Sequence, residues 1–238
     1  MKQSFFSGLR DGIPICLGYI VVSMSFGMFA VARGIPVSTA IALSMTNMTS
    51  AGQFAAVNLA GACATFTEIG LATAVVNIRY ALMSLVLSQK IEKMSFFKRM
   101  LLAAGITDEV FTLASTRGQK VGFSYMAGLI VTPYIGWSLG TILGATVNSL
   151  MPVSVVSAMG ITLYGMFVAI VVPVAREERP VLMTLLIAIS LSCLFKYTPA
   201  LAALSAGWTI IVVTLITASL AACLFTPVET AKSVEVAK

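Results

Sequence analysis

Polar residues are sparse and grouped along this chain, and the stretches between the groups set its architecture. Apolar runs cover 13–32, 69–88, 121–147, 153–175 and 201–225. Each is close to or above the roughly 20 residues that a helix needs to cross a hydrocarbon core about 30 Å thick. The pattern predicts an all-α fold, a polytopic integral membrane helical bundle of six to seven spans with broken or re-entrant segments. Six full spans fall at 12–32, 69–88, 121–147, 154–175, 180–195 and 200–225. The stretches 38–63 and 95–118 then enter without simply crossing; if 38–63 crosses, the count becomes seven.

The stretch 38–63 interrupts the apolar pattern most sharply. Ser44, Thr46, Asn47, Thr49, Ser50, Gly52 and Gln53 crowd into ten positions. Such a sequence suits a helix broken near Ala51-Gly52, its free backbone groups turned into a protein-lined cavity. Transporters build substrate sites from half-helices of this kind. Small and hydroxylated residues also serve plain close packing between helices, so both uses stay open. Gly136, Gly140 and Gly144 form a tandem GxxxG ridge on the 121–147 span and predict helix packing. No soluble domain, low-complexity region or internal repeat stands out. The expected organisation is one transmembrane domain over 1–226 and a disordered cytoplasmic tail over 227–238.

Composition confirms the solvent. Of 238 residues, 58% are hydrophobic and only 10% charged, and mean hydropathy is +0.98. Soluble domains carry about 25% charged residues. The net charge of +6 lies in short basic clusters between spans, which orients the chain and gives no reason to invoke nucleic acid. Twelve of the 15 Lys and Arg residues become cytoplasmic if both termini are. The start, 1–10, has no cleavable leader pattern, so the first span is expected to direct insertion. Cys16, Cys63, Cys193 and Cys223 sit in apolar stretches without metal-like or paired spacing. The absence of histidine removes HExxH zinc sites, Ser-His dyads and histidine proton relays. No GxxxxGK[ST] loop occurs. The expectation is a protein without cofactor or metal that is not an enzyme.

Two places carry charge where the bilayer should be. Arg79 is the eleventh residue of the run 69–88. A central Arg costs about 2.5–3.5 kcal/mol on insertion scales, so it must face protein, water or a counter-ion. It either closes a structural pair with a carboxylate or holds the carboxylate of a ligand. Thr73, Asn77, Tyr80, Ser84 and Ser88 share a stripe of the same helix. Asn77 points about 200° from Arg79 on an ideal helix, so both serve one ligand only if the helix unwinds. Asp108 and Glu109 follow Thr107, which reads as an N-cap with two acids in the first turn. If 95–118 dips into the membrane, the same acids could bind an ammonium or carry a coupling proton. Asp11, before Gly12-Ile13-Pro14, reads as a helix-start residue.

These pieces together resemble the AzlC family, large subunits of bacterial branched-chain amino acid exporters. The resemblance rests on Asp11-Gly-Ile-Pro14 and Phe26-Gly27, then Ala51-Gly-Gln-Phe54 and Asn77-Ile-Arg-Tyr80. It continues through Gly105-Ile-Thr-Asp-Glu-Val-Phe111 and Trp137-Ser-Leu-Gly-Thr-Ile-Leu-Gly-Ala145, in the family's order. It implies ion-driven export of valine, leucine, isoleucine and sometimes methionine across the inner membrane. It also implies a small hydrophobic partner of the AzlD type. By motif match, the residues singled out for substrate are Gly52, Gln53, Asn77 and Arg79, with Asp108 and Glu109 for coupling or ammonium binding. Where many relatives resemble Arg-His, this chain has Arg79-Tyr80, which moves any proton step to a carboxylate. A channel for small zwitterions and a non-transporting membrane scaffold are the alternative readings.

Overall fold

The computed structural model describes residues 4–225 other than 119, 149, 150, 200 and 202; the expected tail at 227–238 lies outside the described residues. Ten helices follow one another among these residues: α1 (Phe5–Ala32), α2 (Val37–Thr46), α3 (Ala51–Gly61), α4 (Phe66–Lys90), α5 (Phe96–Ala103), α6 (Asp108–Ser115), α7 (Phe123–Val147), α8 (Val153–Glu177), α9 (Arg179–Tyr197) and α10 (Ala206–Leu224). Five of them, α1, α4, α7, α9 and α10, are long and apolar enough to cross a membrane, and α8 is equally long at 25 residues. The chain divides into two compact units, Met1–Met166 and Phe167–Lys238.

In the first unit, α1 and α7 lie side by side and run in the same direction. Their contacts advance together: Gly8 meets Tyr125, Gly136 meets Cys16, and Gly144 meets Met24. Glycines on both helices let the backbones touch. A Cβ at Gly144 would stand 2.0 Å from the Met24 carbonyl oxygen, and one at Gly140 would stand 2.3 Å from that of Ile20. The ridge of Gly136, Gly140 and Gly144 therefore lies along α1. Gly8, Gly12 and Gly27 supply the matching face from the other side.

Around this seam the chain makes two helical hairpins that end at mid-depth. α2 starts beyond the end of α1 and stops at Thr46; α3 starts at Ala51 and returns until Gly61 lies against Arg33. With 10 and 11 residues, these helices are about 15–17 Å long, half of a bilayer core. The interruption falls at 47–50, slightly before the expected Ala51-Gly52, because those residues already form the first turn of α3. Asn47 turns extended, and Ser50 takes a positive φ of 37°. α5 and α6 make the second hairpin from the opposite end. The end of α6 lies beside the end of α4, where Lys90 donates to the Ser115 carbonyl. Arg117, just beyond α6, pairs with Asp11 of α1.

α4 runs antiparallel to α1, so the order helix–hairpin occurs twice in opposite directions: α1 with α2–α3, then α4 with α5–α6. The expectation of no internal repeat is corrected here. The sequence trace of the repeat is slight, a hydroxyl residue at each N-cap (Ser50, Thr107) and a phenylalanine four positions later (Phe54, Phe111). Asp11 is corrected as well. α1 begins seven residues earlier than Gly12, capped by Ser4 in a reciprocal capping box with Ser7, and Asp11 binds Arg117 and Tyr125 from the second turn. In the second unit, α9 and α10 pack against each other, with Thr184, Ser192, Thr209 and Thr217 along a groove between them.

Candidate functional site

The two hairpin tips approach the middle of the bundle, where polar side chains from α1, α4 and α7 receive them. Arg79 sits midway along α4. Its Nη1 lies 2.9 Å from Asp108 Oδ2 in the first turn of α6, with both side chains one-third exposed. Its Nη2 donates to the Tyr80 hydroxyl at 3.0 Å, and its guanidinium carbon stands 4.8 Å from the centre of the Tyr80 ring. Tyr80 in turn donates to the Thr49 carbonyl at 3.2 Å, which ties α4 to the tip of the first hairpin. One arginine is thus connected to both tips.

Three buried polar atoms at this place have no hydrogen-bond partner: Thr49 Oγ1, Asn77 Oδ1 and Arg79 Nε. Native interiors satisfy most buried polar atoms, so a group of orphans beside an accessible ion pair points to a binding function. Gly52 keeps the space open, since a Cβ there would lie 2.5 Å from Asn77 Oδ1 and 2.7 Å from Thr49 Oγ1. The first-turn N–H groups of α3 and the positive end of its dipole face the same region.

Gln53 plays a different part in this geometry. It is fully buried; its Oε1 accepts from Trp137 Nε1 and its Nε2 donates to the Leu43 carbonyl, both at 3.1 Å. The side chain bolts α3 to α7 and to the last turn of α2, so only its backbone N–H is left for a ligand. Glu109 faces the other way from Asp108. It accepts a hydrogen bond from Tyr19 of α1, whose ring packs edge-on to Trp137 at 5.2 Å. Ser44 and Thr141 share a 2.6 Å hydrogen bond on the α2–α7 side.

The unwinding that would turn Asn77 and Arg79 to one side of α4 is absent. α4 is continuous from Phe66 to Lys90, and the two residues meet different hairpins that flank it: Asn77 meets the start of α3 and Arg79 the start of α6. Thr73 and Ser88 bond back to carbonyls of their own helix. The outer face of α4 is apolar and open, with Ile78, Leu82 and Leu85 exposed as acyl chains would require. Among the described residues, no group of three or more His, Cys, Asp or Glu side chains could hold a metal ion. The sequence reading missed Tyr19 as a partner of Glu109; a lone tyrosine in the middle of an apolar span was the available signal.

Half-helices that converge on an ion pair among helices long and apolar enough to cross a membrane define the class as a helical membrane protein. The family description "AzlC protein" matches residues 14–151, more than half of the chain, and the chain belongs to the AzlC family. It is similar to the inner membrane protein YgaZ of Escherichia coli, 27% identical over 149 residues, 60% of this chain and 61% of that protein. It thus spans about three-fifths of that relative's length. An uncharacterized membrane protein of Helicobacter pylori is 27% identical over 62% of the chain and 67% of its own length. One of Archaeoglobus fulgidus is 30% identical over 71% of the chain and 75% of its own length. No solved structure matches.

Proposed function

We propose that this chain is a secondary transporter that exports branched-chain and related apolar amino acids, methionine among them, across the inner membrane in exchange for protons. The observation that carries this reading is the Arg79–Asp108 pair, one-third exposed between two hairpin tips and surrounded by unpartnered Thr49, Asn77 and Arg79 atoms. A zwitterion fits such a place by exchange of partners. Its carboxylate replaces Asp108 on Arg79 and meets the first turn of α3 at the Gln53 N–H, where Gly52 leaves room and Asn77 lies beside it. Its ammonium takes Asp108. The ligand then supplies to each half of the pair the charge it gave up. Such an exchange limits the cost of opening an ion pair in a poorly solvated interior.

The resemblance to branched-chain exporters supports the substrate class, and it supports a small AzlD-type membrane partner. The distribution of Lys and Arg supports cytoplasmic termini.

The test is efflux of radiolabelled valine and methionine from preloaded cells that lack other exporters. Cells making this chain with its small partner are expected to lose both faster than control cells. Arg79→Ala, at equal membrane abundance, is expected to abolish the difference. Efflux at the unmodified rate from Arg79→Ala would remove the carboxylate assignment. No efflux of either amino acid from an intact complex would remove the substrate class.

A further inference from the structure

The hairpin tips have two sides of opposite chemistry. On the side of α4, the helices α3 and α6 begin, and there the Arg79–Asp108 pair stands with the unpartnered atoms of Thr49 and Asn77. On the side of α7, the helices α2 and α5 end beside a cavity of about 280 Å³. Its walls include Met45 and Met48 from the first tip, Leu102 and Gly105 from the second, and Ala127 and Ile130 from α7. Helix ends leave carbonyls in need of donors. Here the Met45 carbonyl accepts from the Tyr134 hydroxyl at 3.0 Å, and the Leu102 and Ala103 carbonyls accept from the Gly105 and Ile106 N–H groups. Thr46, also on the wall, bonds back to the Ala42 carbonyl. Among the described residues, no unpartnered buried polar atom lines the cavity. This space offers a ligand apolar contact rather than polar partners.

The two sides are neighbours along the chain. Met48 lines the cavity and packs with Tyr19 and Trp137, while the next residue, Thr49, carries the carbonyl bonded by Tyr80. In the second tip Gly105 lines the cavity, and Asp108 begins α6 three residues later. Adjacent Cα atoms stand about 3.8 Å apart, a span that one amino acid covers from its Cα to the end of its side chain. We propose that the cavity receives the side chain of the transported amino acid and sets selectivity, while Arg79, Asp108 and the start of α3 hold its charged groups; this rests on the transport reading above. A cavity of about 150 Å³ is enough to hold benzene, so this one has room for the side chains of valine, leucine, isoleucine and methionine. Glycine and alanine leave it empty, and a charged side chain finds no partner in it. Ala127, Ile130 and Tyr134 share one face of α7 at spacings of three and four. Ile130 is seated against the second tip, where a Cβ on Gly105 would stand 2.1 Å from its Cγ2. Ala127, one turn earlier, leaves room that a longer residue would fill. Met45, Leu101 and Val131 at the rim are exposed, which makes a lipid acyl chain the competing occupant.

The experiment uses the full chain in vesicles of phosphatidylethanolamine and phosphatidylglycerol, with two readouts. The first is maleimide alkylation of Ala127→Cys, in a chain whose four native cysteines are replaced by alanine. Leucine and methionine are expected to slow alkylation and glycine to leave it unchanged, with about fourfold more amino acid needed for each buried CH₂ removed. The second is the ratio of leucine to alanine exchange, measured with radiolabelled amino acids. Ala127→Leu should lower that ratio about tenfold or more, and Ile130→Ala should raise exchange of phenylalanine relative to leucine. Equal protection by glycine and leucine, or exchange ratios unchanged in both variants, would overturn the cavity assignment; leucine exchange by the unmodified chain would then leave the transport reading standing. Alkylation that is blocked in vesicles without amino acid and released in lipid-free detergent would identify an acyl chain as the occupant and overturn the assignment too. Should the unmodified chain exchange no amino acid while leucine still protects the introduced thiol, the transport reading falls and the cavity stands as a binding site.

Discussion

The two hairpins have one architecture and opposite electrostatics. Each is a pair of short helices that ends in a turn at mid-depth, and in each the second helix begins with its N-terminus at the tip. α6 carries Asp108 and Glu109 in its first turn, so its helix dipole is answered from within. α3 begins Ala51-Gly52-Gln53 and has no acidic residue in its first turn. Its positive end is left to the site, with the unpartnered oxygens of Thr49 and Asn77 nearby. One tip favours an anion and the other a cation. Under the transport reading the difference gives a zwitterion a single orientation, with Arg79 bound to one tip directly and to the other through Tyr80.

The largest effect should come from disabling the second tip. Asp108→Asn removes the counter-charge of Arg79, and transport should be lost. Because the pair is one-third exposed, its loss should destabilise the protein by about 1–3 kcal/mol, less than a fully buried pair would. Adding Arg79→Gln to this variant should restore thermal stability but not transport, as a melting curve beside an efflux assay would show. Recovery of transport by the double variant would mean that the pair is structural. Next comes Gly52→Ala at the first tip, which drives a methyl group into Asn77. Half-saturation for the amino acid should rise, with about 1–3 kcal/mol lost to overpacking. An unchanged half-saturation would place the ligand elsewhere.

Gly140→Ala tests a region outside the comparison. It should lower the melting temperature through a similar packing cost while the substrate concentration dependence stays as it was. The smallest effect is a gain. Ser50 has a positive φ at the N-cap of α3 without a side-chain capping bond, and Ser50→Gly should stabilise the protein by about 1 kcal/mol. A loss of stability would show that the serine side chain holds the first tip in a way its geometry does not reveal.

Some of this could be read from the chain and some could not. The break in 38–63 was legible because seven polar or small residues in ten positions cannot face lipid. Arg79 was legible because a guanidinium in an apolar run demands a partner. Its partner was not. Asp108 is close in space only because the second hairpin turns back from the end at which α4 finishes, and no periodicity encodes that. The commitment of Gln53 to Trp137 had the same cause, 84 positions of separation between the two residues. The inverted repeat escaped notice since inversion preserves topology and asks for little shared sequence beyond a cap and a phenylalanine. Asp11 was misread because Ser4 and Ser7 offered a better cap further upstream.

The seam between α1 and α7 has a consequence for biogenesis. The residues that touch, such as Gly8 with Tyr125 and Gly12 with Leu129, are separated by more than a hundred positions of chain. At a synthesis rate of roughly 5–20 residues per second, α1 reaches the membrane about 6–24 s before α7 exists. During that interval its glycine face, shaped to fit another backbone, meets only lipid or the insertion machinery. The first helix to be made thus waits for the seventh before its main contact can form, and a truncated chain that ends before Phe123 would leave it without its main packing partner.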